Sequence, residues 1–393
     1  MQNQAQIGGN TLPELAQTFQ QIFHTNPRIC QAPGRVNLIG EHTDYNDGFV
    51  MPAAIGFYTR VAIAPRNDRK LVLHSVNFAE QVEFDLDALP THGRQHWSDY
   101  VIGTANTLLQ AGIALTGANL LIAGNVPLNS GLSSSAALEV ATGFSLWELT
   151  GQEVDRTKLA QLCQQAENEF VGARVGIMDQ FISCHGQENH ALRLDCRSLE
   201  FELLPLPPNV HLVICNTMVK HSIADGKYNE RRAECEEGVR LLSQYLPEIQ
   251  ALRDVSEAQF EQHFSKDWSE RIRRRCRHVI TENARVLQAS AALEQGNLAT
   301  FGQLMIESHR SLMKDYKVSS SELDVMVDEA LKVEGVYGAR MTGGGFGGCT
   351  INLVKAENVE NFAQTIATRY ERVTKIQPEI YVCTAADGAS RIV

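Results

Sequence analysis

The hydrophobic pattern of the first third of the chain changes between helical and strand periods. Residues 11–24 place an apolar side chain every three or four positions, which predicts an amphipathic helix with Thr11 as its candidate N-cap. The runs RVNLI, FYTRVAIAP, LVLHSV and QVEFDL predict strands, because each is short and contains β-branched or aromatic residues among its apolar positions. A further helix is predicted at 96–112 and a strand at 118–124.

The pattern becomes helical again at a run of three serines. Residues 131–151 and 155–172 each carry an apolar stripe at helical spacing, so two helices are predicted there. The runs ALRLD, EFELL and VHLVICN predict a return to strands. Beyond them the pattern predicts charged helices near 224–246 and 269–295, and a glycine loop followed by a strand at 338–354.

The order of these elements predicts an α+β fold with two domains. Strands and helices mix without the strict βα alternation of a doubly wound sheet. A length of 393 residues also favours more than one domain. The proline-rich stretch LPLPP at 204–208 is the best candidate for the joint, which predicts domains at 1–206 and 207–393.

The composition narrows the range of partners. Apolar residues make up 44% of the chain and charged residues 21%, as in ordinary globular enzymes. A formal net charge of −11 argues against nucleic acid or an acidic membrane surface as a general partner. No run of about 18 apolar residues predicts a membrane span. The basic run RIRRRCRH at 271–278 is interpreted as a solvated helix face, because Glu270 and Glu282 are its neighbours.

The cysteines favour a reducing compartment. There are nine, scattered along the chain, and no two have CxxC spacing. An odd number without paired spacing argues against a zinc site and against a disulfide framework. The first 27 residues contain no Lys or Arg and no long apolar run, so no signal peptide is expected. We therefore expect reduced thiols in a cytoplasmic protein.

The stretch NVPLNSGLSSSAALEVA at 125–141 is the strongest candidate for chemistry. A predicted strand ends near Gly124 and a predicted helix begins among the serines. Unpaired N–H groups, the partial positive charge of a helix N-terminus and three hydroxyls would then meet, which is a candidate phosphate cradle. One serine would suffice as a simple helix cap, which is the alternative. The chain contains no GxxxxGK[ST] motif.

The run GGGFGG at 343–348 matches G-x-G-x-x-G in letters but not in context. A dinucleotide fingerprint lies between a strand and a helix, whereas here a β-branched strand follows. We interpret the run as a glycine loop that permits close backbone approach to a ligand. A tight turn between two strands remains the alternative.

The stretch APGRVNLIGEHTDYNDG at 32–48 carries one cation and then several acceptors at the end of a predicted strand. The planar donor fork of Arg35 suits a phosphate or a paired carboxylate. The polar cluster of Glu41, His42 and Asp44 suits the hydroxyl groups of a sugar. The simpler alternatives are a turn-forming role for Asp44 and an ordinary loop position for His42.

A lone carboxylate occurs in the apolar run VGIMDQFIS at 175–183. Asp179 either caps a helix or is a charge held in a shielded site, where it could serve as a base.

Three motifs together resemble those of one enzyme family. GRVNLIGEHTDY at 34–45 is similar to the galactokinase signature. GLSSSAA at 131–137 and MTGGGFGGC at 341–349 are similar to the second and third motifs of the wider GHMP small-molecule kinases. The three occur in the family's order, so the chain resembles the galactokinase family over most of its length. The resemblance implies a two-domain GHMP kinase fold with the active site in the cleft between the domains.

The resemblance also implies the reaction, which is ATP-dependent phosphorylation of the anomeric hydroxyl of α-D-galactose at the start of galactose catabolism. The family's catalytic aspartate lies in a G-I-x-D-Q segment and falls on Asp179, and its signature arginine falls on Arg35. The Mg²⁺ ligands match Ser135 and Glu167. The sugar contacts match Glu41, His42, Thr43, Asp44, Gly176 and Tyr228. The nucleotide contacts match Ser75, Trp97, Tyr100, Asn129, Ser130, Gly131, Leu132, Ser133, Ser134 and Ser135.

The residues themselves bear on two of these positions. Glu167 borders the apolar stripe of the predicted helix 155–172, so it can reach a neighbouring loop and share a metal with a serine, or form a helix-edge salt bridge. Asn129 departs from the family, which commonly has glycine there. Because Asn tolerates left-handed backbone, we expect the loop to keep its shape.

The chemistry implied by the resemblance is mostly positioning and charge neutralisation. The serine loop and Mg²⁺ would take up the phosphate charge, Arg35 would lie near the transferred group, and Asp179 would accept the proton of the anomeric hydroxyl. A free Asp has a pKa of about 3.9 and is a weak base. A loose transition state needs only late proton removal, so a weak base suffices.

Other functions fit parts of the pattern. A galactokinase-like sensor would bind galactose and ATP without turnover, but such sensors lack two residues of the serine loop, which is complete here. A kinase for N-acetylgalactosamine, mevalonate or homoserine is a second alternative, and GEHTDY argues against the last two. The context of the glycine run rejects a nucleotide-dependent oxidoreductase. We expect small molecules as the partners and a monomeric chain.

Overall fold

The structure is a computed structural model that describes residues 11–219 and 226–393. Within these ranges the chain forms thirteen strands in three sheets, together with eleven α-helices. The mixture of antiparallel sheets and packed helices confirms the predicted α+β class.

The largest sheet belongs mainly to the N-terminal half. Its strands are β1 Arg28–Asn37, β3 Pro52–Pro65, β4 Lys70–Ser75, β5 Glu80–Asp85, β6 Ala118–Gly124 and β13 Ser390–Arg391. Their order is β13-β1-β3-β6-β4-β5, and β4 and β6 run parallel while the other neighbours are antiparallel. The register between β1 and β3 shifts between Pro33 and Arg35. Such a bulge turns the following side chain out of the regular ladder.

Alternation along these strands buries both faces of the sheet. Ile29 and Ala62 pack on one face against helix α1, Leu12–Phe23. Cys30 and Val61, one position along each strand, belong to the core on the opposite face. That core is shared with α2 Ser98–Gln110, α3 Ser134–Leu149, α4 Arg156–Gln165 and α5 Met178–His185.

The remaining two sheets are smaller. The first contains β9 Val210–Asn216, β10 Val336–Thr342, β11 Cys349–Lys355 and β12 Glu379–Cys383, in the order β10-β11-β9-β12. The second contains β2 Phe49–Val50, β7 His190–Asp195 and β8 Phe201–Pro205, in the order β2-β7-β8. The helices of this half are α6 Lys227–Leu242, α7 Glu257–His263, α8 Glu270–Glu294, α9 Leu298–Ser311, α10 Ser321–Ala330 and α11 Val359–Thr374.

One apolar cluster joins the two halves of the molecule. Leu38 and Val126 from the first half pack in it with Phe301 and Cys349 from the second. Leu132, which directly precedes the three serines 133–135, is part of the same cluster and is buried. Because protein interiors are close-packed, the cluster fixes the chain around Leu132 against the sheet that contains β11.

Most predicted elements are confirmed, and the largest difference is a change of helix type. The strand predicted at 118–124 and the helix that starts among the serines are both present. The helix predicted at 155–172 is α-helical only to Gln165 and continues as a π-helix over Ala166–Val171. Hydrophobic periodicity cannot distinguish these types, and π-helical turns are frequent at functional sites.

Two predictions concern the junction between the halves. The helix predicted at 224–246 is present as α6, and residues 224 and 225 lie outside the described part of the chain. The domain division after residue 206 stays a prediction. The C-terminal strand β13 pairs with β1 and so returns the end of the chain to the first sheet.

The basic run 271–278 lies in the first half of α8 and is largely paired with acidic residues. Arg271 and Arg275 both contact Glu234, and Arg274 forms an ion pair with Glu270. The predicted solvated face is correct for Arg271, Arg273, Arg274 and Arg277, but it is wrong for Arg275 and His278, which are buried at 4% and 0% exposure.

All nine cysteines lie in the described residues and none forms a disulfide, as the spacing predicts. Within residues 11–219 and 226–393, no helix combines the length and the apolar character needed to cross a membrane.

Candidate active site

An arginine and an aspartate form the centre of the site. Arg35 lies on β1 directly after the bulge, and Asp179 lies in the first turn of α5. Arg35 Nε donates to Asp179 Oδ1 at 2.8 Å and Nη2 donates to Oδ2 at 2.7 Å, so the pair is bidentate. The Arg35 side chain is 6% exposed and that of Asp179 28%. Asp179 therefore binds the arginine instead of capping its helix, and its carboxylate stays open to a ligand.

The serine loop, residues 129–135, reaches the same carboxylate. Ser133 Oγ donates to Asp179 Oδ2 at 2.5 Å. Arg35 Nη1 donates to the Gly131 carbonyl oxygen at 2.7 Å. Helix α3 begins within this loop at Ser134, so the loop also contains the N–H groups of a first helical turn, which have no partner within the helix. A helix N-terminus beside a fixed cation can hold a phosphate group.

The backbone of the loop is left-handed at three positions. The φ angles are 55° at Asn129, 78° at Gly131 and 61° at Ser133. The expectation that Asn129 accepts a left-handed conformation is confirmed. Left-handed backbone costs a residue with a Cβ about 1–2 kcal/mol, so Ser133 is a strained position beside the aspartate.

The glycine loop, residues 343–348, packs against the serine loop. A Cβ added at Gly343 would lie 2.7 Å from the Gly131 carbonyl oxygen. A Cβ added at Gly348 would lie 2.7 Å from the Ser130 carbonyl oxygen. No real side chain fits at such distances, so glycine is required at both positions. The glycine run therefore approaches the backbone of the serine loop closely, and its predicted approach to a ligand stays a prediction.

Glu41 links the loop between β1 and β2, residues 38–48, to the glycine loop, and we call this segment the opening loop. Glu41 is 2% exposed, and its Oε1 accepts a hydrogen bond from the Gly343 N–H at 3.0 Å. Its Oε2 lies 2.9 Å from Arg340 Nη2. Burial raises the pKa of Glu41 to about 7, although the Arg340 and Arg35 charges act in the opposite direction. The structure thus engages both carboxylate oxygens in protein contacts.

His42 lies in an aromatic cluster beside Glu41. Its Nδ1 is 2.8 Å from the Tyr45 hydroxyl and its Nε2 is 3.2 Å from the Gly344 carbonyl oxygen. The centre of its ring is 5.5 Å from that of Tyr228 and 4.8 Å from that of Tyr316. Burial lowers the pKa of His42 well below its usual value, so the imidazole is neutral at neutral pH.

Asp44 comes close to the central aspartate because Gly176 leaves room for it. A Cβ at Gly176 would lie 2.0 Å from Asp44 Oδ2. The Met178 N–H donates to the Asp44 carboxylate, one residue before Asp179. Burial and the Asp179 charge raise the pKa of Asp44 to about 6. Tyr228 completes this side of the site through contacts with His42 and with the Gly176 backbone.

Thr43 is buried, and its hydroxyl bonds to the backbone of its own loop. Its Oγ1 is 2.8 Å from the Gly40 carbonyl oxygen and 2.7 Å from that of Phe49. This arrangement gives Thr43 a part in shaping the loop, and its predicted sugar contact stays a prediction.

A second group of carboxylates lies behind the serine loop. The Ser135 hydroxyl donates to Glu167, which lies in the π-helical turn. Gln180 Nε2 donates to Glu167 Oε2 at 2.6 Å and to Glu139 Oε2 at 3.0 Å. Burial, followed by the Asp179 charge, raises the pKa of Glu167, and burial, followed by the Glu167 charge, raises that of Glu139.

This group fits a divalent cation. Glu139 Oε1 is buried and has no hydrogen-bond partner among the described residues. No cluster of three or more His, Cys, Asp or Glu side chains suited to a metal occurs in the described ranges. Mg²⁺ commonly takes one or two carboxylates and completes its shell with phosphate oxygens and water, so the chemistry of Ser135 and Glu167 is compatible with their predicted role as ligands.

Two of the residues matched to nucleotide contacts, Ser75 and Trp97, lie around the tip of the β4–β5 hairpin. Ser75 ends β4, and its hydroxyl accepts the Phe78 N–H at 3.3 Å. Phe78 stacks on Trp97 with ring centres 6.0 Å apart, and Trp97 Nε1 donates to Glu80 at 2.8 Å. Tyr100 lies one helical turn further on, and its pKa is raised by burial, followed by the Glu167 charge. It therefore faces the carboxylate group behind the serine loop.

Four residues that lie at the site were not predicted from the sequence. Glu139 had a usable signal, because it follows Ser135 by four positions and so lies on the same helix face. Gln180 had a weaker one, as the neighbour of Asp179. Tyr45 and Tyr316 share a hydroxyl–hydroxyl bond of 2.7 Å across 271 positions, which no local pattern reveals.

Family models match three parts of the chain. The galactokinase galactose-binding signature matches residues 17–65, the GHMP kinases N terminal domain matches 99–187, and the GHMP kinases C terminal region matches 289–372. The two-domain fold and the site of arginine, serine loop and aspartate therefore define a GHMP kinase.

Full-length relatives identify the family within that class. The galactokinase of Roseiflexus sp. (strain RS-1) is 47% identical over 380 residues, 96% of this chain and 97% of that protein. The galactokinase of Chloroflexus aggregans is 47% identical over 373 residues, 95% of each chain. The chain belongs to the galactokinase family.

Solved structures of related proteins have the same fold as this chain. The Lactococcus lactis galactokinase complexed with galactose superposes with a TM-score of 0.94 at 39% identity, covering 98% of this chain and 100% of that one. The Methanococcus jannaschii mevalonate kinase has a TM-score of 0.66 at 19% identity over 92% of this chain and 99% of its own, which shows a shared fold.

Proposed function

We propose that this galactokinase-family protein transfers the terminal phosphoryl group of ATP to the anomeric hydroxyl of α-D-galactose. Asp179 orients that hydroxyl and accepts its proton late in the transfer. Arg35 offsets the negative charge that gathers between the nucleotide and the sugar. The observation that carries the proposal is the bidentate Arg35–Asp179 pair, since it lies against the serine loop and leaves the carboxylate 28% exposed.

The sugar is held by the groups around Asp179. Asp44 and Tyr228 provide an acceptor and a hydroxyl on one side, and Gly176 keeps the space between them free of a side chain. Glu41 and His42 form the wall behind, with their polar atoms fixed by the glycine loop. Rigid acceptors of this kind discriminate between sugars, because a mismatched hydroxyl leaves a buried group unpaired.

The nucleotide is held on the other side. The serine loop and the start of α3 receive the phosphates, and the Trp97 region lies near the base. Ser135 and Glu167 hold Mg²⁺, which neutralises phosphate charge when bound. A monomeric, cytoplasmic protein remains our prediction for its assembly and location.

A coupled ADP-release assay with Mg-ATP and a panel of sugars tests this function. We expect ADP release with galactose and none with glucose. Release with N-acetylgalactosamine in preference to galactose would favour that sibling activity. Galactose binding by calorimetry without ADP release would overturn the kinase assignment in favour of a sensor.

Replacement of the proposed base tests the mechanism. Asp179→Asn keeps the shape of the side chain and is expected to lower kcat by about 10²-fold or more, because general-base catalysis is lost. The thermal unfolding midpoint serves as the control for folding. Near-normal turnover in a folded Asp179→Asn protein would remove Asp179 from the mechanism.

A further inference from the structure

A buried amide joins the two acidic side chains behind the serine loop. Gln180 follows Asp179 directly in α5, and its Nε2 donates to both Glu139 and Glu167. Gln180 and Glu139 are 0% exposed, so no solvent competes for these bonds. The proposed function leaves both of these residues without a role.

The three side chains come from three separate elements. Glu139 lies on α3, Gln180 on α5, and Glu167 on the π-helical turn that follows α4. The amide nitrogen has two N–H groups, and the bonds of 3.0 and 2.6 Å use both. One carboxylate therefore fixes the plane of the amide, and the amide in turn fixes the other carboxylate.

Glu167 is the member that needs such support. A long side chain on a π-helical turn is not oriented by the regular spacing of an α-helix. Its Oε2 is occupied by Gln180, which directs the rest of the carboxylate towards the Ser135 hydroxyl. Ser135 and Glu167 are the two residues that hold the cation in the proposed function.

We infer that Gln180, anchored by Glu139, is a positioning residue that holds the Glu167 carboxylate in place for the divalent cation. The inference rests on the proposed function for the cation ligands. Because Gln180 is the neighbour of Asp179, one short helix sets both the proton acceptor and the metal ligand. Removal of a partner that orients a metal ligand commonly weakens metal binding 10–100-fold.

Cation binding, measured apart from turnover, tests this role. Mn²⁺ in the presence of a non-hydrolysable ATP analogue is followed by electron paramagnetic resonance. Gln180→Met is expected to weaken Mn²⁺ binding about tenfold or more. Its affinity for galactose without nucleotide, measured by calorimetry, is expected to stay within about twofold of the parent chain.

Gln165→Met is the matched control. Gln165 Nε2 donates to Glu169 Oε2 at 2.9 Å, which is the same type of bond on the outer surface of the same helical segment. We expect Mn²⁺ binding to be unchanged in this variant. Equal loss of binding in Gln165→Met and Gln180→Met would show a general effect on the helix and overturn the inference.

A second pair of variants changes the anchor and leaves the amide in place. Glu139→Met removes the acceptor and is expected to weaken Mn²⁺ binding, whereas Glu139→Gln keeps an acceptor oxygen and is expected to stay within about threefold. This pair decides the question even if Gln180→Met does not fold.

The outcomes separate this inference from the proposed function. Parent-like Mn²⁺ binding in folded Gln180→Met or Glu139→Met would leave these residues with a packing role only. A different result would overturn only the proposed function. In it, the parent chain binds Mn²⁺ and nucleotide but transfers no phosphate to galactose, while Gln180→Met binds Mn²⁺ more weakly. The positioning role of Gln180 would then stand.

Discussion

Two arginine–carboxylate pairs lie at this site, and they differ in how far their side chains are exposed to solvent. In the Arg35–Asp179 pair the carboxylate side chain is 28% exposed, and it also accepts a bond from Ser133. In the Arg340–Glu41 pair the side chains are 0% and 2% exposed. At this site, the same type of ion pair thus occurs in an open position and in a sealed one.

The difference separates chemistry from architecture. Glu41 comes from the opening loop and Arg340 from β10, so the sealed pair ties the two halves of the molecule together. Arg340 Nη1 also donates to the Asn37 carbonyl oxygen at 3.0 Å on β1. The open pair presents an exposed carboxylate to a substrate, whereas the sealed pair holds the walls of the site in register.

Removal of the sealed arginine is expected to have the largest effect on stability. Arg340→Met leaves Glu41 buried without its cation and is expected to lower the free energy of unfolding by about 3–5 kcal/mol, because an uncompensated buried charge is costly. Urea-induced unfolding measures this loss. Unchanged stability together with abolished turnover would instead assign the sealed pair to the chemistry.

Removal of the open arginine is expected to act mainly on turnover. Arg35→Met should lower kcat by about 10²–10³-fold, the usual effect of losing one charge-stabilising donor. Its effect on stability should be smaller than that of Arg340→Met, because water can solvate the Asp179 carboxylate that remains. Steady-state kinetics and urea unfolding of both variants measure this difference between turnover and stability. A lower free energy of unfolding for Arg35→Met than for Arg340→Met would contradict the prediction.

The same two pairs show how far sequence reasoning reaches. Arg35, Ser133 and Asp179 lie in motifs whose residue types point to phosphate and proton chemistry, and the structure brings them together as expected. The structural contact of Glu41 could not be predicted in this way, because its hydrogen-bond partner Gly343 lies 302 positions away in the sequence. A local pattern predicts which element a segment forms, but it does not predict which distant segment packs against it.

The helix of Glu167 marks a second limit of sequence reasoning. The apolar stripe of 155–172 predicts a helix but not the extra residue per turn that makes its last part π-helical. That change alters the direction in which Glu167 points, so its contact with Gln180 could not be derived from helical spacing.

The open side of the site is expected to be sensitive to acid. Burial and the Asp179 charge raise the pKa of Asp44 to about 6, so the carboxylate is ionised at pH 7.5 and about nine-tenths protonated at pH 5. A protonated Asp44 is a poorer acceptor for a sugar hydroxyl. The KM for galactose should therefore rise about tenfold as the pH falls from 7.5 to 5.

Asp44→Asn is the control for this pH effect. It cannot ionise, so the Asp44 part of the pH dependence should vanish while any part due to Glu41, whose pKa is about 7, remains. The groups that face Asp44 are Asp179, Arg35 and Tyr228. A steep acid limb retained in full by Asp44→Asn would assign the effect to one of the others.

The smallest expected effect concerns the strain beside the open pair. Ser133 holds a φ of 61° and donates to Asp179, so its hydroxyl bond helps to keep a backbone that serine disfavours. Ser133→Ala loses the bond and keeps the strain, which should lower the free energy of unfolding by about 1 kcal/mol. Ser133→Gly loses the same bond but relieves about 1 kcal/mol of strain, so it should be the more stable variant. Urea unfolding ranks the two, and kcat should fall to a similar extent in both because the same hydroxyl is missing. The reverse order of stability would mean that the left-handed turn stores no strain, and that the open pair is held by its ion pair alone.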